Sequence, residues 1–308
     1  MANKKHREYW QRRTSELMAY ADRKDIDFFK LLANLYGEYA VELQKEIFTF
    51  YAKYADENGL TLQQAKARLR GTDLSDYRRN AELYRVSAEK DPELLDRLNE
   101  QYVSSKATRL DALNLQLTYN AALLALAVNK EFERYLKELA GHSYRKILGG
   151  RSAGTLNEPA LQQLIRTPFQ GYNYSEQLWG NTDNLAKSLR KTLSKMLVRG
   201  ENPRVVAREL RDKYTVAQHR AETLVRTDGS MVINNATLKR YNDAGLKGVR
   251  IHVHMDERTS DICKEIHKED KLYSIEDVIK NPILPAHYSC RSTYVPDEEE
   301  LMEDSWES

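Results

Sequence analysis

The chain is poor in cysteine. Two cysteines in 308 residues cannot form the disulfide framework of a small secreted scaffold. Hydrophobic residues make up 41% and charged residues 31% of the chain, which excludes a disordered or fibrous protein. The length indicates about two domains with a sizeable core.

An apolar targeting segment is also missing. The first ten residues, MANKKHREYW, lack the apolar core of a secretory signal, so we expect a protein made in a reducing cytosol. The most apolar stretch, Leu110 to Val128, reaches membrane-spanning length, but asparagine, glutamine and threonine are spread through it. We therefore predict a buried helix here and no membrane partner.

Motifs of several common enzyme classes are missing as well. The sequence contains no G-x-S-x-G, no P-loop, no H-E-x-x-H and no G-x-G-x-x-G. Asp256, Arg258 and Thr259 follow a predicted strand and leave two interpretations open. The aspartate and the arginine can pair to fix a loop, or the aspartate can be a catalytic carboxylate, although no second acid or base stands at a diagnostic spacing.

The charge is nearly balanced overall but unevenly distributed. Lysine and arginine number 48 against 46 acidic residues, giving +2, which argues against a polybasic protein. Residues 145–250, however, hold 19 basic and 9 acidic residues, and residues 297–308 hold seven acids and no base. The basic charge is therefore concentrated in the middle of the chain.

Hydrophobic periodicity predicts a mainly α fold, with long N-terminal helices followed by a small α+β domain. Apolar residues at helical spacing predict helices beginning at Asp25, Asp91, Asp183, Asn202 and Thr215. Alternating residues predict a strand over 249–255, and shorter strands are expected over 271–274 and 291–295. The segments are a helical array (1–148), a loop-rich connector (149–184), a basic helical segment (185–245), a Cys/His domain (246–296) and an acidic tail (297–308).

Basic residues in the third segment fall on the faces opposite the apolar ones. Such faces are typical of a solvated helix surface, but the concentration of charge makes a polyanion or an acidic protein an equally strong candidate partner. Aromatic residues are not interleaved, so base stacking is not supported. The candidate nucleic-acid-binding residues are Lys187, Arg190, Lys191, Lys195, Arg199, Arg204, Arg208 and Arg211.

Both cysteines lie near histidines in the C-terminal segment. Cys263 and His267 are four residues apart, and His287 and Cys290 are three apart, giving C-x3-H and H-x2-C. Thiolate and imidazole are ligands that zinc prefers, so the four residues are candidate zinc ligands. Buried apolar cysteines, a disulfide or free thiols are the alternatives.

Four runs of sequence resemble the Mu-F-like head-morphogenesis family, the minor head proteins of tailed bacteriophages. They are ETLVRTD (222–228), NNATLKRY (234–241), DERTSDIC (256–263) and PAHYSCRSTYVP (285–296). The family pattern implies structural roles for Arg226, Asp228, Asp256, Arg258, Thr259 and Arg291. His267 is not part of that pattern, which leaves Cys263, His287 and Cys290 as the better metal trio.

The resemblance implies a minor capsid protein that is not an enzyme. It would lie inside the capsid near the portal vertex and act in head morphogenesis and in DNA packaging or ejection. The implied partners are the portal protein, scaffold or major capsid protein, and double-stranded DNA. A metal-dependent nuclease or transferase built on Asp256, Arg258, His287 and Cys290 is the alternative, and a helical adaptor without a DNA role is a third hypothesis.

Overall fold

Helices dominate the part of the chain that the computed structural model describes, residues 2–58, 109–148, 154–199 and 203–297. The predicted mainly α fold, with a small sheet near the C-terminus, is confirmed. The helices are α1 (Ala2–Asn58), α2 (Arg109–Lys146), α3 (Glu158–Ile165), α4 (Tyr174–Arg199), α5 (Pro203–Asp243), α6 (Asp261–Glu269) and α7 (Ile275–Lys280), and the strands are β1 (Gly248–His252), β2 (Leu272–Ser274) and β3 (Thr293–Pro296).

The helix starts predicted at Asp25 and Thr215 are wrong, because both residues lie inside continuous helices. Asp25 is buried and accepts a hydrogen bond from the hydroxyl of Tyr135. The Thr215 hydroxyl donates to the carbonyl of Arg211, one turn back in α5. A residue type suited to capping marks a helix start only where the following N–H groups lack helical partners. The start predicted at Asp91 lies outside the described residues.

Two helices occupy much of the segment predicted to be a loop-rich connector. Asn157 caps α3 by accepting a hydrogen bond from the N–H of Ala160 at 3.0 Å. Asn173 accepts from the N–H of Glu176, whose carboxylate accepts from the N–H of Asn173. This reciprocal capping box starts α4 nine residues before the predicted Asp183, because Asn-x-x-Glu satisfies the free amides of the first turn.

The chain forms two compact units, and four helices contribute residues to both. Unit 1 takes in Met1–Leu31, Asn129–Gln177 and Ala221–Ser308, and unit 2 takes in Leu32–Val128 and Leu178–Arg220. The boundaries fall within helices rather than at the sequence-predicted segment borders. Those borders therefore remain predictions about the chain's organisation.

Unit 2 has a core of aliphatic and aromatic side chains from α2 and α4. Trp179, 2% exposed, packs with Leu115, Tyr119, Ala122 and Ala125. The tryptophan is thus an apolar anchor of this core. The buried helix predicted around 110–128 is confirmed over its described side chains, and none of the described helices has the length and apolar character of a membrane span.

Unit 1 contains an aromatic cluster that joins α1, α2 and α4. Phe132 lies 5.7 Å from Phe28 and 5.1 Å from Tyr174 between ring centroids, and Tyr135 lies 4.9 Å from Phe28. Such tilted and edge-on pairs stabilise a core beyond their buried area. The cluster therefore holds these three helices together within unit 1.

The C-terminal module is a three-stranded antiparallel sheet with β1 in the centre, in the order β2-β1-β3. Val249 pairs with Tyr273 of β2 and with Pro296 of β3, which sets the register. All three predicted strands are found at or near their predicted positions. The alternation that predicted β1 reflects burial of Val249 and Ile251 beneath a more exposed second face.

Among the described residues of unit 1, Asp228 and Asp25 are buried acids. Asp228 is fully buried, and neither of its oxygens has a hydrogen-bond partner in the described structure. Burial disfavours the charged form and raises the pKa of Asp228 to about 7. Burial likewise raises the pKa of Asp25 to about 6, although the hydrogen bond from Tyr135 opposes that shift.

We predict that Asp228 makes the protein less stable as the pH rises. The pKa of Asp228 in the folded state lies above the unfolded value of 3.8. Its contribution to the free energy of unfolding is therefore fully present below pH 3.8 and is lost as the pH rises through about 7. The shift corresponds to at most about 4 kcal/mol of unfolding free energy. Urea unfolding of wild type and Asp228→Asn at pH 4.5 and pH 8 measures the effect.

The difference in unfolding free energy between the two pH values should be smaller in Asp228→Asn than in wild type, whatever the absolute stability of that variant. Asp212→Asn, an exposed position on the same helix, is the matched control and should keep the wild-type difference. An equal pH dependence in wild type and Asp228→Asn would contradict the prediction.

Candidate metal centre and basic surface

The first cysteine of the C-terminal module lies at the start of a helix. Ser260 caps α6, and its hydroxyl accepts a hydrogen bond from the N–H of Cys263 at 3.2 Å. Cys263 is the third residue of the helix and is 3% exposed. The unpaired N–H groups of a helix N-terminus favour a thiolate at this position.

The second pair of residues is brought together by a tight turn before β3. The N–H of Cys290 donates to the carbonyl of His287 at 3.2 Å, which places the two side chains on one side of the turn. Ser289, between them, has a φ of 58°, in the left-handed region that favours glycine. Its N–H donates to the hydroxyl of Thr227 at 2.9 Å, so α5 helps to hold the turn in place.

Cys263, His287 and Cys290 converge. The Sγ of Cys263 lies 3.2 Å from His287 Nε2 and 3.8 Å from Cys290 Sγ, and all three ligand atoms fall within 4.8 Å of one another. His267 does not belong to this group and is exposed near the end of α6. Of the four predicted ligands, the structure therefore brings together the three that the family pattern favoured.

The two thiols differ in their electrostatic surroundings. Hydrogen bonding from the Cys290 thiol, followed by that from Ser292 and Ser260, lowers the pKa of Cys263 despite its burial. The same interaction with Cys263, together with burial, raises the pKa of Cys290. Cys263 is therefore the first of the two thiols to deprotonate, and the thiolate is the form of cysteine that binds a metal.

The D-x-R-T residues form a closed turn beside this group. The carboxylate of Asp256 accepts from the N–H of Arg258 at 2.9 Å, from its guanidinium at 3.1 Å, and from the guanidinium of Arg291. The Thr259 hydroxyl accepts from the N–H of Asp256 and donates to the carbonyl of His254. The loop-fixing interpretation of Asp256 and Arg258 is the one that these contacts support.

The same contacts make Asp256 a weak base. The hydrogen bond from Arg291, and then those from Arg258, hold the pKa of Asp256 well below its usual range. A general base needs a pKa near the working pH to accept a proton efficiently. The geometry therefore favours a structural role over the alternative of a catalytic carboxylate.

Two residues of α5 that sequence reasoning missed support the turn and β3. The buried amide of Asn234 donates to the carbonyl of Ser292 at 3.0 Å and accepts from the N–H of Tyr294 at 3.2 Å. Thr227 holds Ser289, as described above. Polar residues at buried positions of an otherwise apolar helix stretch are the signal that could have indicated both, since buried amides need partners.

The remaining residues of the family pattern have different surroundings. The guanidinium of Arg226 lies over the ring of Phe29, 4.9 Å from its centroid, which is a cation–π contact between α5 and α1. Asp228 is the buried carboxyl described above. Arg226 is exposed and Asp228 is buried, and neither lies in the Cys–His–Cys group.

The predicted basic residues lie in unit 2, on α4 and the first part of α5. Lys187, Lys191 and Lys195 are exposed and Arg190 is partly exposed, whereas Leu185, Leu189 and Leu193 are buried. Further along, the exposed side chains are those of Arg204, Arg208 and Arg211. The predicted division of each helix into a basic and an apolar face is confirmed, while the side chain of Arg199 lies outside the described residues.

Fold and site together define a mainly helical protein with a small C-terminal α+β module built around a Cys–His–Cys group. Residues 187–295, about a third of the chain, match the family described as Phage Mu protein F like protein. This match confirms the predicted resemblance over the segment that holds both candidate sites, and it indicates a phage head protein. Comparisons with curated proteins and with solved structures gave no significant match.

We predict that Asp256→Ala loosens the turn between β1 and α6. The change removes the acceptor of the Arg258 amide and the shared partner of two guanidinium groups. Hydrogen exchange over 255–262 should become several-fold faster, up to about tenfold, the effect of losing one or two net hydrogen bonds. Glu257→Ala, an exposed neighbour in the same turn, should exchange like wild type. Equal rates in both variants would disprove the structural role of Asp256.

Proposed function

We propose that this chain is a minor head protein of a tailed bacteriophage that associates with the portal and contacts DNA during packaging or ejection. The family match supports the assignment to the phage head, and thus to the virion. The basic faces of α4 and α5 support the DNA contact. The match also supports a non-enzymatic role, in agreement with the arginine contacts that make Asp256 a weak base.

The observation that carries the DNA contact is the availability of the lysines on α4. Lys187, Lys191 and Lys195 are exposed, and none of them forms an ion pair with another described residue. Side chains without acidic partners can bind phosphates and release counterions without first breaking an internal salt bridge. They recur every fourth residue, so one helix face presents a row of positive charge.

The neighbouring helix adds to the basic surface. Arg208 and Arg211 are exposed on α5, opposite the buried Val206 and Leu210. The described side chains of this surface include no exposed aromatic residue between 187 and 211. Contact with the phosphate backbone, independent of base sequence, is therefore the mode of binding that we propose.

We predict that the chain binds double-stranded DNA with an affinity that falls steeply with salt. Replacing Lys187, Lys191 and Lys195 by glutamate should weaken binding at low salt. It should also make the dependence of log K on log salt less steep, by about one in slope for every phosphate that the variant no longer neutralises. Fluorescence anisotropy with a labelled duplex at several salt concentrations measures both quantities.

The matched control places the same charge change elsewhere, with Lys130, Lys247 and Lys268, all exposed, replaced by glutamate. This control should retain most of the affinity and the wild-type slope. Absence of binding at low salt, or equal loss in both triple variants, would overturn the proposed DNA surface. If portal pull-down persisted without DNA binding, the helical adaptor would be the correct hypothesis.

We also predict that the acidic tail weakens DNA binding, because its negative charge opposes the attraction between the chain and the phosphates. The truncation should begin after Asp297, since its carboxylate pairs with Arg250 at 2.6 Å and its N–H bonds the carbonyl of Gly248. Removing residues 298–308 deletes six acids and should strengthen low-salt binding. The same anisotropy titration measures the change, and an unaltered affinity would show that the tail does not screen the surface.

A further inference from the structure

We propose that Cys263, His287 and Cys290 bind one zinc ion per chain, with a fourth coordination position that opens into a small polar cavity. The proposal is independent of the DNA contact, because its residues lie in unit 1 and those of the basic surface lie in unit 2. It treats the metal as a structural element of the C-terminal module.

The distances between the ligand atoms suit a tetrahedral zinc site. Two sulfurs bound at about 2.3 Å and at the tetrahedral angle lie about 3.8 Å apart, and a bound sulfur and nitrogen about 3.5 Å apart. The two Sγ atoms are 3.8 Å apart, and Cys263 Sγ lies 3.2 Å from His287 Nε2. Both distances from Cys263 are thus within a few tenths of an ångström of what zinc requires, and the third pair, His287 Nε2 and Cys290 Sγ, lies within 4.8 Å.

The orientation of the imidazole also fits a ligand. His287 Nδ1 lies 2.8 Å from the carbonyl oxygen of Tyr288, and a carbonyl can only accept, so this nitrogen carries the proton. Its Nε2 atom is then the one with a free lone pair, and it points at the thiol of Cys263. A backbone carbonyl that fixes the second ring nitrogen is the usual arrangement around metal-bound histidines.

The cysteines have the support that thiolates need. The Ser292 hydroxyl lies 3.4 Å from Cys263 Sγ, and the Ser260 hydroxyl holds the backbone of Cys263 at the start of α6. Both cysteines are nearly inaccessible to solvent, at 3% and 0% exposure. Burial excludes competing reactions of the thiols, and the dipole of the helix stabilises negative charge at Cys263.

The fourth position is supplied by a cavity of about 30 Å³ that two of the ligands, Cys263 and His287, help to line. One water molecule needs about 10–15 Å³ of such space, so the cavity can hold a water that completes the coordination. Its polar lining can hydrogen-bond that water, and it comprises His254, Arg258, Thr259, Ser289, Arg291 and Ser292. No other group of three histidine, cysteine or acidic side chains in the described structure is arranged for a metal.

A bound ion would tie the start of α6 to the turn that precedes β3. Cys263 comes from the first of these elements, and His287 and Cys290 come from the second. An ion that binds the folded chain and not the unfolded chain stabilises the fold in proportion to the logarithm of its concentration. Zinc would thereby lock the module that α5 already holds through Thr227 and Asn234.

The test measures metal content in the full chain, purified without a histidine tag and under reducing conditions. Elemental analysis should give about one zinc per chain in wild type and in His267→Ala, which removes a nearby histidine outside the trio. His287→Ala and Cys263→Ser should lose affinity by more than about 100-fold, since losing only an outer partner of a ligand costs about 10–100-fold. Cobalt substitution should give the spectrum of a tetrahedral thiolate site in wild type.

Two further measurements separate loss of the metal from loss of the fold. A chelator should lower the melting temperature of wild type and His267→Ala but leave that of His287→Ala unchanged. Thiol titration after unfolding distinguishes the remaining states of the cysteines. Two free thiols with no bound zinc or cobalt would overturn the proposal, and so would a disulfide with no reactive thiol.

Discussion

The C-terminal module depends on one buried amide. Asn234 of α5 bonds the backbone of Ser292 and Tyr294 with both ends of its side chain, and Thr227 bonds Ser289 two turns earlier in the same helix. A buried amide that loses its partners costs about 1–3 kcal/mol, so the turn and β3 have one favourable position against α5. Cys290 lies between these anchored residues, and its placement beside Cys263 follows from them.

Different forces govern the two candidate sites. The basic surface of unit 2 is exposed, and its interactions with a polyanion depend on ionic strength. The Cys–His–Cys group of unit 1 is enclosed, and its chemistry depends on distances, tautomer and burial. The net charge of +2 describes neither site, because it averages a basic middle segment with an acidic tail.

The arginines around Asp256 bear on the choice between a structural protein and an enzyme. Arg258 and Arg291 donate hydrogen bonds to the Asp256 carboxylate, which the enzyme hypothesis required as a base. Both arginines also line the cavity beside the proposed metal. The D-x-R-T turn thus contacts the segment before β3 through Arg291, and α5 contacts the same segment through Thr227 and Asn234. The proposed metal would have a structural role in such a setting, in agreement with the phage head protein that the family match indicates.

The sequence alone determined the helical character and the three strands, because periodicity is a local property. It also predicted four candidate metal ligands from their residue types, and only the tertiary structure brought three of them together. The family pattern also separated His267 from the other three candidates. Only the tertiary structure decided that Asp25 and Thr215 lie inside helices and that Asp228 is buried without a partner. It likewise assigned Thr227 and Asn234 their supporting roles. These outcomes depend on which distant groups meet a polar side chain, and a local pattern carries no information about such partners.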